Sequence, residues 1–511
     1  MRGAGSRPTT PGSDHADTNP APGGAAYAVH QRARRGIRLM LSRGALVLLL
    51  TFGSGIILAR TLAPADFGVF AIALFIVIFV GLLTDLGLRP ALIQRPGMLA
   101  ERDFTTAFTI QQAAVTAAVG LLWSGAAWLP TLYPKAPAEL VWLVRLMAME
   151  LYLVSWRDMS EVLLERTLRY ERLARIDVVG SLVYNGVALA LALGGQGVWS
   201  LGYAKVASSL TRAVLVHRAA PWPIRLAFDG RAARTLLGAG LPLQIGRIVT
   251  QAQYWVTPTL VAGAIGPDAA GLLQWAAGNG RKPLEFLENV VRVSLPHFSM
   301  LQHDRAEVER TLSRYVLVFV LVCGLWLAVL AVAGRDLVTL VYTVRWVAAV
   351  PPMVLFAGVG LLVSVRVIVT TALVGLGQMV FTARVSAVGA LATLGASVGL
   401  VLALGFIGVA LGQLVGAAVA LPWLVSGLGA GAIARVLVPA GMVLLPMGAA
   451  CAVGIVTHLA PLEPAVRGLL TAGIMTLAYG ATAWWVAPAW LREAAWHELA
   501  PTRGFLKRPA R

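Results

Sequence analysis

Residues 58–73 read LARTLAPADFGVFAIA, and about two hundred residues later 260–276 read LVAGAIGPDAAGLLQWA. Each breaks an apolar run with a proline, an acid and a glycine. When Pro64 is laid on Pro267, Gly68 falls on Gly271 and Phe70 on Leu273; only the acid slips, Asp66 against Asp268. In each copy the proline follows one apolar helix and the glycine opens the next, a short external turn in which Pro fixes φ and Gly allows close packing. A polar, proline-containing linker from His217 to Arg234 divides the copies. A parallel repeat with a central joint is common among alternating-access transporters.

Composition agrees with that reading. The 511 residues are 58% hydrophobic and 13% charged, with a mean hydropathy of +0.75, whereas soluble domains carry roughly 25% charged residues. Fourteen uncharged or nearly uncharged runs of about 17 to 25 residues lie between 44–60 and 465–487, long enough to cross a hydrocarbon core roughly 30 Å thick. Outer-membrane barrels show ten-residue alternation instead. The expected fold is an all-α integral membrane protein of about 14 transmembrane helices. Its expected divisions are a disordered arm over 1–40, helices 1–6 over 41–218, a linker over 219–235, helices 7–12 over 236–432, helices 13–14 over 433–488 and a basic tail over 489–511.

The formal charge of +18 is concentrated in alternate connections. RARRGIRLMLSRG, LLERTLRYERLARID, HRAAPWPIRLAFDGRAAR and RGFLKRPAR carry much of it, and the positive-inside bias places these segments and both termini in the cytoplasm. The basic runs are therefore read as topogenic charge against anionic lipid headgroups, with no nucleic-acid partner. The first apolar run begins only near Gly44 and thirteen more follow, so it is expected to remain as an uncleaved span. Cys323 and Cys451 both fall in apolar segments, and the seven histidines are scattered without ligand spacing. No metal, cofactor, nucleotide-binding loop or catalytic constellation is expected.

Several patterns occur in order: LARTLAPADFGVFAIALF with LTDLGLRPALIQRP, then LLERTLRYERLARID, PWPIRLAFDGRAARTLLGAGLPLQ and VSLPHFSMLQHDRAEVERTL. Over roughly residues 40–430 the chain resembles the polysaccharide transport family of Wzx-type O-antigen and exopolysaccharide flippases. That family lies within the multidrug/oligosaccharidyl-lipid/polysaccharide exporter superfamily. The resemblance implies two six-helix, MATE-like lobes around a central cavity, in a multi-pass protein of a bacterial plasma membrane. It also implies a polyprenyl-pyrophosphate-linked oligosaccharide as cargo, and polysaccharide polymerase or export machinery as partners.

Charge inside the apolar segments points to the site. Arg145, Lys205, Arg247, Arg281, Lys282 and Arg366 are embedded; facing lipid, each costs roughly 2.5 to 3.5 kcal/mol at a helix centre. Gln244, Arg247, Gln251 and Tyr254 recur at spacings of three, four and three, one polar stripe on the helix expected over 236–262. The next segment, 269–291, carries Gln274, Gly278, Arg281, Glu285 and Glu288, and its Gly278/Gly280/Pro283 cluster allows a kink. Arginine offers a planar fork of donors to phosphate oxygens, while Gln and Tyr suit sugar hydroxyls. Arg247, with no acid within its own turn, is the first candidate for pyrophosphate, followed by Arg281, Lys282 and Arg366.

A plainer reading pairs these cations with the embedded acids Asp85, Glu150, Glu285 and Glu288, and lets Arg145 and Lys205 reach outward to the interface. Asp85, Glu150 and Glu285 are the candidates for ion coupling, although an acid at a helix end near Arg89 also suits a structural role. The alternatives are a drug or cation antiporter on the same architecture, and a membrane glycan polymerase or ligase. The first calls for a buried carboxylate in the first lobe, and segment one, GALVLLLTFGSGIILA, contains none; the second calls for a large external loop.

Overall fold

Pro64 occupies the first turn of a helix, where its missing N–H leaves nothing unsatisfied, and the Asp66 carboxylate accepts the Ala63 N–H at 2.9 Å. Pro267 likewise occupies the first turn of another helix, there without a side-chain cap. The computed structural model describes residues 50–488 apart from 96, 98–99, 168, 223, 303, 430–437 and 439–440; within helices, the side chains at 243, 245–247, 249–260, 286, 288–289, 292–293 and 296 are outside the description. The expected arm over 1–40 and the tail over 489–511 lie outside the described residues.

Every regular element among the described residues is a helix. After α1, helical over 53–61, come α2 (Pro64–Asp85), α3 (Leu88–Gln94), α4 (Glu101–Gly125), the short α5 (Leu129–Leu132), α6 (Glu139–Ala148), α7 (Glu150–Arg166), α8 (Tyr170–Leu193) and α9 (Trp199–Ala219). There follow α10 (Gly230–Ala264), α11 (Pro267–Gly280), α12 (Lys282–Met300), α13 (Arg305–Val341), α14 (Val350–Gly375), α15 (Met379–Leu404) and α16 (Phe406–Ser426). The last two are α17 (Leu444–His458) and α18 (Pro464–Val486).

Eight helical stretches among the described residues are long and apolar enough to cross a bilayer: α2, 101–132, α8, α13, 344–375, α15, α16 and α18. The other expected segments are helical where described but differ for local reasons. Segment 139–160 divides at Met149 into α6 and α7, and 269–291 divides at Arg281 into α11 and α12. The helices α9 and α10 carry polar side chains along their length, and α17 has 15 residues. Segment 44–60 is described only in part.

The repeated turns meet each other. A Cβ on Gly68 would overlap the Pro267 carbonyl, and one on Gly271 would overlap the Pro64 carbonyl. The contact is reciprocal, each glycine against the other copy's proline, so α2 and α11 cross backbone to backbone. Around this crossing Trp346, fully buried, donates its indole N–H to the Ala59 carbonyl at 2.8 Å, and Phe67 meets the Trp346 ring edge-on at 5.3 Å. Arg60 Nε reaches the Val341 carbonyl at 2.8 Å, where the end of α13 leaves unpaired acceptors.

The opposite end of α2 is closed by a second approach. Leu86 (φ 50) and Gly87 (φ 69) turn the chain from α2 into α3, and Gly87 lies against the backbone of Gly240 in α10. Gln244, 2% exposed, donates to the Leu82 carbonyl. The linker is docked rather than free: Trp222 packs edge-on against Phe108 at 4.8 Å, and the Asp229 N–H donates to Thr106 at 3.1 Å. Asp229 also caps α10 through the N–H groups of Ala232 and Arg231 at 3.0 and 2.8 Å, which hold its carboxyl below the usual carboxylate range.

Small residues set the spacing in the second half. Gly408, Gly412 and Gly416 present one face of α16 to α15, where they press on Leu400, Ser397 and Thr393. That four-residue spacing is the close-packing pattern of membrane helices.

Candidate functional site

A membrane helix can leave its regular path only where the freed backbone is satisfied by protein or lines a cavity. The segment expected from the sequence to span 269–291 is broken between α11 and α12. Pro283 has no N–H, so the Asn279 carbonyl four residues earlier loses its helical donor. At the junction Arg281 takes φ −97° and ψ 11°, and the N-terminal end of α12, which carries partial positive charge, starts beside it.

This break borders a cavity of about 580 Å³. Gln274, Arg281 and Glu285 line it from α11, the junction and α12; Ser364 and Arg366 from α14; Ser386 and Thr393 from α15; and Gln413 from α16. Every lining residue falls between Leu273 and Ala420, so this cavity lies within the second half of the chain. Its walls are otherwise apolar or glycine; a Cβ on Gly278 would meet open space, whereas Gly389 and Gly416 are closed by the packing of α15 on α16. Arg281 donates to the Gln413 side chain, and its guanidinium carbon sits 4.8 Å from the centre of the Phe356 ring. Two arginines thus reach one space together with amide and hydroxyl groups. Glu285 is engaged from outside by Lys282, with Nζ 2.9 Å from Oε2.

The junction is held from α13. Trp326 donates its indole N–H at 3.1 Å to the Asn279 carbonyl, which lacks its usual donor four residues on and is otherwise reached by the Arg281 N–H at the turn. Tyr342, just beyond α13, donates its hydroxyl to Asn279 Oδ1 at 3.0 Å. Asn279 Nδ2 in turn donates to the Trp275 carbonyl at 2.9 Å.

Of the residues singled out in the sequence, Arg281, Arg366 and Glu285 line this cavity, together with Gln274 of the same polar face. Lys282 flanks it through its ion pair. Gln244 is spent on the contact with Leu82. The side chains of Arg247, Gln251 and Tyr254 lie outside the described residues, as does that of Glu288.

Others stand apart from it. Arg145 Nε donates to the Trp123 carbonyl at 3.1 Å, with the guanidinium 4.8 Å from the Trp142 ring centre. Lys205 pairs with Glu150 at 3.1 Å, and Ser209 donates to the same carboxylate oxygen at 2.6 Å. Asp85 ends α2, and Arg89 lies in the first turn of α3. Arg89 itself reaches across to three acids of α7, Asp158 at 3.3 Å, Glu161 at 2.5 Å and Glu165 at 2.6 Å.

Sequence reasoning missed Gln413. The signal was present, because Gln413 is an amide within the otherwise apolar stretch FIGVALGQLVGAAVALPW, and a polar group in such a helix is costly unless it faces the bundle interior. Trp326 was missed for another reason: an indole in an apolar helix gives no sign of which carbonyl it will find.

Comparison with known proteins follows the same lines. The family described as polysaccharide biosynthesis protein matches residues 57–351. The chain is similar to the succinoglycan biosynthesis transport protein ExoT of Rhizobium meliloti, with 27% identity over 276 residues, 53% of this chain and 55% of that protein. It is also similar to the teichuronic acid biosynthesis protein TuaB of Bacillus subtilis, with 22% identity over 289 residues, 56% of this chain and 59% of that protein. The chain therefore spans somewhat over half the length of these relatives.

In three dimensions it is similar to the lipid II flippase MurJ in an inward closed conformation, with a TM-score of 0.74 at 12% identity, over 89% of this chain and 99% of that one. An inward-facing multidrug resistance MATE family transporter of the MOP superfamily matches with a TM-score of 0.57 at 15% identity, over 78% of this chain and 94% of that one. These likenesses are of fold, that of an all-helical multi-pass membrane protein.

Proposed function

The chain belongs to the polysaccharide biosynthesis protein family, and from that premise we propose that it is a transporter and not an enzyme, a flippase for a polyprenyl-pyrophosphate-linked oligosaccharide. Two six-helix lobes, part of an arrangement of about fourteen spans, rock in the plasma membrane of a bacterium with both termini in the cytoplasm. The last two helices stand outside both lobes. As the lobes part, the second-half cavity opens into a central space; the pyrophosphate is held by arginines while the polyprenyl tail stays in lipid.

The observation that supports this most is the break at Arg281, which brings Arg281, Arg366 and the positive end of α12 to one cavity. A diphosphate needs concentrated positive charge at membrane depth, and guanidinium forks supply it. The amide of Gln413 and the hydroxyls of Ser364, Ser386 and Thr393 suit the first sugar. A cationic drug would meet like charge in the same space, which counts against the antiporter. Arg247 of α10 is proposed as a further phosphate ligand.

The test is export of surface polysaccharide in a strain that lacks its own flippase. Arg281→Gln and Arg247→Gln, each at normal abundance, are expected to abolish export. Full export by Arg281→Gln would remove the phosphate assignment.

A further inference from the structure

We infer that Trp326 and Tyr342 are positioning residues that hold the α11–α12 break in the geometry that aims Arg281 into the cavity. The inference rests on the reading of Arg281 as an anion ligand. It begins with a carbonyl. In a continuous helix Asn279 C=O would accept from residue 283, but Pro283 has no N–H to give. The Arg281 N–H, shared between the Ala277 and Asn279 carbonyls, is the donor the turn itself supplies, and a second donor fixes the carbonyl's direction. The indole of Trp326 takes the place of the missing N–H at 3.1 Å.

The same asparagine is fastened a second time. Tyr342 donates to Asn279 Oδ1 at 3.0 Å, and Asn279 Nδ2 donates back to Trp275 at 2.9 Å. Trp275 packs edge-on against the Tyr342 ring at 4.7 Å. Asn279 is thus held through its main chain and both ends of its amide, two residues before Arg281. Past the junction, Leu284 N–H returns to the Arg281 carbonyl at 2.9 Å and starts the new helix. Neither Trp326 nor Tyr342 lines the cavity, so their effect on a ligand must pass through Asn279 and the path of the break.

The measurement is binding of inorganic pyrophosphate to the purified full-length protein in lipid nanodiscs, alongside its melting temperature. Trp326→Phe keeps the ring and removes the donor. It is expected to weaken binding about tenfold, the scale of one buried hydrogen bond, with Tyr342→Phe weakening it to a smaller degree. Adding Pro283→Ala to Trp326→Phe returns an N–H to Asn279; the melting temperature is expected to recover while binding stays weak, because a continuous helix turns Arg281 from its place.

Wild-type binding by Trp326→Phe and Tyr342→Phe, with loss of binding in Arg281→Ala, would overturn the positioning role and leave the phosphate reading standing. Recovery of both melting temperature and affinity in the double variant would also overturn it, since the break would then be dispensable. Unchanged binding in Arg281→Ala would defeat the phosphate reading itself, and the positioning role with it.

Discussion

Alanine at Gly68 or Gly271 should open the end of the molecule where α2 crosses α11. A methyl group at Gly68 would overlap the Pro267 carbonyl, and one at Gly271 the Pro64 carbonyl. Both obstacles are main-chain atoms in the first turn of a helix, so no rotamer change relieves them. Overpacking of this kind costs about 1–3 kcal/mol. If about 2 kcal/mol falls on the crossing, contact between the helices is disfavoured roughly 30-fold, at 1.4 kcal/mol per factor of ten. The assay uses a single cysteine at Ala262, which is 1% exposed near the end of α10, with Cys323 and Cys451 replaced by serine. Labelling by a water-soluble maleimide should accelerate about 30-fold in Gly68→Ala and in Gly271→Ala. The double variant should gain little more, because both changes part the same surface. Wild-type labelling rates in both single variants at normal abundance would refute the argument, and so would strictly multiplicative effects.

Two other outcomes follow from buried charge and from helix capping. Lys205→Met leaves the Glu150 carboxylate, 5% exposed, without its cation. Breaking a buried pair costs roughly 3–5 kcal/mol, and the partial exposure of Lys205 brings the expected loss to about 2 kcal/mol; most of it should return in Glu150→Gln/Lys205→Met, read as melting temperature in detergent. Unfolded, the Asp229 carboxyl titrates in the ordinary range, and in the fold it lies lower, so its stabilisation is present above the ordinary range and is lost as pH falls through the folded value. Asp229→Asn keeps an acceptor for the α10 cap but should flatten that acid-side dependence of melting temperature, whereas Asp229→Ala should lose the cap at neutral pH.

The helical class and the places where helices break were legible because both are local properties. Pro64, Pro267 and Pro283 act through φ and a missing N–H wherever they stand, and the Gly278/Gly280/Pro283 cluster marked the junction at Arg281. The polar face from Gln274 to Glu285 was legible as well, since side chains three and four residues apart share a helix surface. What a stripe cannot carry is the identity of its neighbour. Gln244 belongs to the stripe on α10, yet its amide is taken by the Leu82 carbonyl. Lys205 and Glu150 lie 55 positions apart and pair, although each alone suited another role.

From its residues alone this chain determined that it would lie in a membrane as helices, with two matching proline–glycine turns and an arginine at a broken segment. The length of apolar runs, the cost of buried charge and the backbone limits of proline are sufficient for that. Only the tertiary structure decided that the two turns lock against each other, that Arg281 and Arg366 share a cavity with Gln413, and that Trp326 supplies the hydrogen bond Pro283 withholds. Those outcomes depend on which helix faces come together, and many packings satisfy the same periodicity; the choice among them is made by close contacts between residues far apart in the chain.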